Sequence, residues 1–290
     1  MEKREKQEKI LTAGQIARRR FFRNKLAVAG LIVVTSFVFL SICAPLFTQY
    51  DVSQTDLRNL RSAPSASHLL GTDDLGRDIF ARLLYGGRIS IAVGVASMLL
   101  QMAIGVTLGA VAGYFGGAVD KVVMRIVDII MCFPFFVIAV ALAAVIGGSI
   151  WNLILIIGML MWPGIARIVR AEVLTIRENE YVAAAKALGL SPVQIIVQEV
   201  LPNVVSSVLV ASTLAVANGI LMESTLSFLG LGVRPPAPSW GNMLVVAQNM
   251  AVLKNQWWMW IPAGAAVVLM VLSINFLGDG LRDALDARNQ

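Results

Sequence analysis

Glu180-Tyr-Val-Ala-Ala-Ala-Lys-Ala-Leu-Gly-Leu-Ser-Pro192, continued by Val193 to Pro202, is too regular in pattern for a linker. Tyr181, Ala184, Ala185 and Leu188 fall at i, i+3, i+4 and i+7. Val193, Ile196, Val197 and Val200 repeat that spacing, so each half reads as a short amphipathic helix. Gly189 suits the left-handed C′ position that ends the first helix. Ser191, Pro192 and Gln194 then supply the N-cap, N1 and N3 positions of a capping box that opens the second. Helices of about nine residues are marginal alone in water, so their apolar faces must bury against this chain's own bundle or against a partner.

On both sides of this stretch the chain is strongly apolar. Its 290 residues are 57% hydrophobic and only 14% charged, against roughly 45–50% and about 25% for a soluble domain. That balance argues against a water-soluble enzyme and excludes disordered, collagen-like and disulfide-rich classes. Leu26 to Phe47 is 22 residues without a charge; as a helix it is about 33 Å long and exceeds the roughly 30 Å hydrocarbon layer. Ser41-Ile42-Cys43-Ala44 is a poor cleavage site, so the segment reads as a retained anchor. Further apolar runs at about 89–112, 123–146, 150–169, 204–228 and 258–278 make six candidate spans. The expected architecture is an all-α integral membrane protein. A basic tail (1–25) precedes the anchor (26–47) and an external loop (48–88). A core (89–278) holds the loop 178–203, and a short tail (279–290) follows.

Placing the N-terminal tail inside puts seventeen Lys/Arg on the inner side and seven outside. The positive-inside rule therefore sets both termini and the 178–203 loop in the cytoplasm. The basic tail beside an apolar run reads as topology and a lipid contact, with no nucleic-acid partner. Gly105, Gly109 and Gly113 recur every four residues, the spacing that lets helix backbones approach closely. Pro134 and Pro163-Gly164 predict kinks. Trp257, Trp258 and Trp260 read as an interfacial aromatic belt.

Several polar residues carry two readings. Asp73, Asp74, Arg77 and Asp78, with Arg82, form an external charged patch. Asp74/Arg77 and Asp78/Arg82 are spaced to pair on an interfacial helix, or the patch contacts a solute-binding partner. Arg125 and Asp128 lie one turn apart and are expected to pair at the inner mouth of the third span. Glu223 sits within the fifth span with Asn218 and Ser224 as polar neighbours and no basic residue nearby. It is either a translocation-path residue, together with Asn218, or hydrogen-bonded across to another helix. His68 is the sole histidine, and Cys43 and Cys132 lie in apolar runs, so neither a metal nor another cofactor is expected. The chain has no Gly-Lys dipeptide and so no phosphate-binding loop of the Walker type. Energy for transport must come from a partner, or from an ion gradient if the chain is a carrier or channel. A membrane enzyme would need convergent catalytic groups that the sequence lacks.

The 180–202 stretch resembles the EAA loop of ABC-importer permeases, Glu-Ala-Ala-x3-Gly-x9-Ile-x-Leu-Pro. Ala184, Ala185, Gly189, Leu201 and Pro202 fall in register; Ala183 stands where the pattern has Glu, and Glu199, beside Val200, where it has Ile. Three other blocks are similar to the C-type permease subunit of the dipeptide/oligopeptide/nickel importer group. They are His68-Leu-Leu-Gly-Thr-Asp-Asp-Leu-Gly-Arg-Asp78, Ser227-Phe-Leu-Gly-Leu-Gly232 with Pro238-Ser-Trp-Gly241, and Gly278-Asp-Gly-Leu-Arg-Asp283. The resemblance implies a type I ABC importer permease fold in a bacterial or archaeal plasma membrane. It also implies a homologous second permease, two cytoplasmic ATPase subunits and an external solute-binding protein as partners. The cargo would be short peptides or a related solute such as a nickel chelate. Glu180, Tyr181, Ala184, Ala185, Gly189, Leu190, Ser191, Pro192, Leu201 and Pro202 would form the coupling helix and its ATPase contact, so this chain itself would not be an enzyme.

Overall fold

Extended backbone at Asn24 divides the first helical run. The Asn24 side-chain oxygen accepts from the backbone N–H groups of Leu26 and Ala27, ending α1 (Ala13–Arg23) and starting α2 (Lys25–Ile42). The computed structural model describes residues 13–285, so most of the basic tail and the last five residues lie outside the described residues. Among the described residues the regular structure is helical and there is no strand. Arg88 holds the far end of α2: its Nε donates to Ser41 O (2.6 Å) and its Nη2 to Ile42 O (2.7 Å). A cation on otherwise unpaired terminal carbonyls is the expected way to end a helix.

Helix α3 (Ile79–Phe115) begins ten residues before the expected start of the second span. Asp78 is its N-cap, accepting from Ala81 N–H at 2.7 Å. Hydropathy missed these turns because Arg82 and Arg88 interrupt them. At 37 residues α3 is about 55 Å long, so it projects well beyond the hydrocarbon layer. The third span is broken rather than kinked: α4 (Gly117–Cys132) and α5 (Phe135–Ile146) meet at Pro134 at an angle of 80°. Helix α6 (Ile150–Ile176) runs through Pro163 without ending. After α7 (Glu180–Ala187), α8 (Pro192–Phe228) unites the second half of the loop with the fifth span, which were expected as separate elements. Helix α9 (Ile261–Leu285) completes the bundle. Among the described residues five helices are long and apolar enough to cross a membrane, or six where the bent α4–α5 pair counts as one span.

Small residues set the helix contacts. A Cβ at Gly105 would stand 2.7 Å from Ile165 Cβ, at Gly109 2.6 Å from Ala166 O, and at Gly113 2.8 Å from Val173 Cβ. The four-residue repeat on α3 is therefore the seam with α6. Gly94 meets α8 in the same way, with its Cβ position 2.6 Å from Ile220 Cγ1, and Gly30 of α2 lies against Ser273 O of α9. With little hydrophobic drive between helices in lipid, this close van der Waals contact carries the association.

Of three expected charge pairings, Asp74/Arg77 forms and the other two are replaced. Asp128 bonds Arg167 of α6 at 2.6 Å instead of Arg125, and Asp120 takes both Nε and Nη2 of Arg170. Antiparallel α4 and α6 bring these residues opposite one another. Residues 73–78 form a turn instead of a helix, with Gly76 at φ 74°. Asp73 accepts Arg77 Nε at 2.7 Å and lies 3.5 Å from Arg82 Nε, while Asp74 is 3.9 Å from Arg77. Asp78 is occupied by its capping bond and by His68 Nδ1 at 2.8 Å. Of the four candidate contact residues only Asp74 is exposed. The other three hold the loop onto the start of α3. The tryptophans also divide: Trp257 is exposed, but Trp258 packs with Leu70, Met243 and Met259.

Candidate functional site

The turn between α7 and α8 has the geometry its sequence predicts. Gly189 has φ 83°, its N–H donates to Lys186 O (3.0 Å), and Leu190 N–H donates to Ala185 O (3.2 Å). These are the two bonds of a Schellman motif. Ser191 Oγ accepts from Gln194 N–H (3.4 Å) while Ser191 N–H donates to Gln194 Oε1 (2.8 Å), which completes the capping box with Pro192 at N1. Both bonds on each side of the turn are local, so its shape is set by residues 185–194 themselves.

The buried face differs from the one the spacing suggested. Val182 is fully buried and Ala185 nearly so, packed with Ile195, Val200, Val204, Val169 and Val173. Tyr181, Ala184 and Leu188 point away, Leu188 being 81% exposed and Val193 69%. The reason is a competition that periodicity cannot settle: both faces of this short helix are apolar, and the α6–α8 junction accepts the narrower one. A π turn over Ile196–Val200 rotates the second half as well, with Leu201 N–H donating to Ile196 O. Pro202 has no N–H for Gln198 O and its ring crowds that carbonyl, and widening the preceding turn accommodates it within one continuous helix.

Two further contacts tie the turn to the long α3 helix. Arg177 Nη1 donates to Gly113 O (3.0 Å), and Lys186 Nζ lies 5.3 Å from the centre of the Tyr114 ring. Neither was legible from sequence, because α3 and this loop are 60 or more positions apart. Glu180 and Pro202 are exposed, and Leu190 and Leu201 are half-buried against the same core. The outcome is a rigid hairpin that presents Leu188 and Val193 outward.

At the opposite end of α8, Glu223 is enclosed by the chain's own helices. Ser90 Oγ of α3 donates to Oε2 and Ser227 Oγ to Oε1, both at 2.7 Å. Trp240 N–H donates in turn to Ser90 Oγ (3.1 Å) and Trp240 Nε1 to Leu83 O (3.0 Å). Val233 N–H lies 3.3 Å from Ser227 Oγ. The Ser227 and Pro238-Ser-Trp-Gly241 blocks therefore meet on one carboxyl group and hold the segment after α8 to α3. Asn218, five residues away, lies about 140° around the helix and is exposed. The two path candidates do not share a face. Replacing Glu223 with leucine leaves two buried hydroxyls without their acceptor, which costs about 1–3 kcal/mol. Thermal unfolding of the purified chain is expected to show that loss, with Glu223→Gln, which retains one acceptor oxygen, between leucine and the parent.

A bundle of five or six spans, stitched by glycine seams and carrying a capped helical hairpin on a continuous span, defines the membrane component of a type I ABC importer. The chain belongs to the family of binding-protein-dependent transport system inner membrane components, matched over residues 105–290. Residues 12–64 match the N-terminal transmembrane domain of oligopeptide transport permease C. The dipeptide transport system permease protein DppC of Alkalihalophilus pseudofirmus is 41% identical, over 92% of this chain and 87% of its own length. The oligopeptide transport system permease protein OppC of Bacillus subtilis is 40% identical, over 97% and 92%. Among solved structures, the inward-facing MetNI methionine ABC transporter covers 70% of this chain and 96% of its own, with a TM-score of 0.54 at 23% identity. That likeness concerns the fold. The protein is thus a multi-pass permease subunit that works with other components of an importer, ATP hydrolysis belonging to a separate subunit.

Proposed function

We propose that this permease forms half of the translocation pathway for dipeptides or oligopeptides. A homologous permease forms the other half, two cytoplasmic ATPases drive the cycle and an external binding protein delivers the solute. The peptide cargo is supported by the transport systems for which the relatives are named. Both termini and the α7–α8 hairpin lie on the cytoplasmic side in this reading, as the Lys/Arg distribution favours.

The observation that carries the coupling role is the exposed apolar pair Leu188 and Val193 on a hairpin whose own core is already filled. An 81% exposed leucine adds nothing to this chain's stability, yet its burial in a groove of an ATPase would contribute roughly 1.5–3 kcal/mol. Leu188→Asp is therefore expected to leave insertion and thermal stability unchanged and to weaken ATPase association by about ten-fold or more. Co-purification of the ATPase subunits with the variant permease measures this, and an undiminished yield would remove the hairpin from the interface. Asp74 and Asn218 remain the exposed candidates for the binding-protein contact and the path.

A further inference from the structure

Helix α1 has a surface that neither the bundle nor the coupling hairpin uses. Its sequence, Ala-Gly-Gln-Ile-Ala-Arg-Arg-Arg-Phe-Phe-Arg, turns Phe21 inward, where the ring lies against Gly280 of α9. Arg18, Arg19, Phe22 and Arg23 are exposed. Arg18 lies 5.9 Å from the centre of the Phe22 ring, and Ile16 with Arg19, Arg20 and Arg23 lines a shallow cleft of about 290 Å³. None of the ion pairs among the described residues involves Arg19 or Arg23. Guanidinium groups one turn apart repel one another, and an anion set between them reverses the sign.

The position of the helix selects the anion. One residue, Asn24, separates α1 from a membrane span, so α1 ends at the level of the lipid headgroups. Phe22 is 56% exposed and Leu26, four residues on, is 58% exposed. The exposed apolar surface continues along α2 through Ile32 and Phe39. An exposed aromatic continuous with a lipid-facing surface and flanked by arginines matches a helix lying in the interface plane. We infer that α1 is an interfacial helix that holds anionic phospholipid: Arg19 and Arg23 contact headgroup phosphates while Phe22 enters the acyl boundary. The inference rests on Lys25–Ile42 being a span and is independent of the cargo.

The test uses the full chain lacking Cys43 and Cys132, with Phe22→Cys, reconstituted in vesicles of phosphatidylcholine alone or with one-third phosphatidylglycerol. Labelling by a water-soluble maleimide is expected to slow in the anionic vesicles. Adding Arg19→Gln and Arg23→Gln is expected to weaken docking roughly thirty-fold and restore the rate. Equal rates in the two vesicle types, or slowing by inorganic phosphate in phosphatidylcholine alone, would overturn lipid binding. Labelling of an Ile32→Cys chain as fast as Phe22→Cys would remove the span and the inference with it. A second measurement needs no cysteine: mass spectra of the parent chain released from detergent should retain phosphatidylglycerol over phosphatidylcholine, and the double glutamine variant should not. Equal retention of both lipids would also overturn the proposal.

Discussion

Gly109→Val is expected to abolish import by preventing the bundle from closing. A Cβ at this position would stand 2.6 Å from the backbone oxygen of Ala166 and 2.9 Å from Val169 Cβ, so the obstruction is partly main chain and cannot rotate away. Valine adds two methyl groups beyond that Cβ. Relief requires α3 and α6 to separate, which would also lift the neighbouring contacts at Gly105 and Gly113. Overpacking of this kind costs about 1–3 kcal/mol where neighbours can shift, and a backbone obstruction lies at or above the upper end. The variant chain is expected to be degraded or to aggregate on extraction, as fluorescence-detected size exclusion would register. Gly164→Ala is the control, since a Cβ there meets nothing within 4 Å, and it should behave as the parent.

Gly189→Val is expected to give the opposite combination, a normally inserted chain that does not import. Nothing lies within 4 Å of a Cβ at Gly189, so sterics with the rest of the molecule are absent and the backbone alone decides. At φ 83° a β-branched residue is strained by roughly 1–2 kcal/mol. Yielding to that strain opens the Schellman motif and displaces Leu188 relative to Ser191. Asparagine tolerates the left-handed region, so Gly189→Asn should retain most transport. Solute uptake and ATPase activity in reconstituted vesicles distinguish the two variants. Equal import by Gly189→Val and the parent would show that the turn's shape is immaterial to coupling.

What the sequence made legible was local. The capping box at Ser191, the left-handed Gly189 and the glycine repeat of α3 each follow from residues within one or two turns, and each stands as expected. What it concealed depended on distant partners. Asp128 has Arg125 within reach along its own helix, yet it bonds Arg167, because α6 packs alongside α4. Of the two hydroxyls on Glu223, Ser227 lies one turn away and was readable from the i, i+4 spacing, whereas Ser90 is 133 positions away. The hairpin's inward face was misassigned because Val182 is as apolar as its alternatives, and only the α6–α8 junction selects it. Helix ends were misjudged where a charge interrupted hydropathy, as at Arg82 and Arg88 of α3, or where a proline was accommodated inside a helix, as at Pro202. The charges at 73–82 were visible, but not that Asp73 and Asp78 are consumed by the loop that carries them.

We propose that the exposed tip of the α7–α8 hairpin seats on a cytoplasmic ATPase. This seating is tested most directly by placing a photoreactive amino acid at position 188 of the assembled complex in membrane vesicles. Irradiation is predicted to yield a covalent adduct between this chain and an ATPase subunit, lost when the ATPase is omitted. An adduct only with an external binding protein, or none with the ATPase in a complex shown to be intact, would rule out this seating.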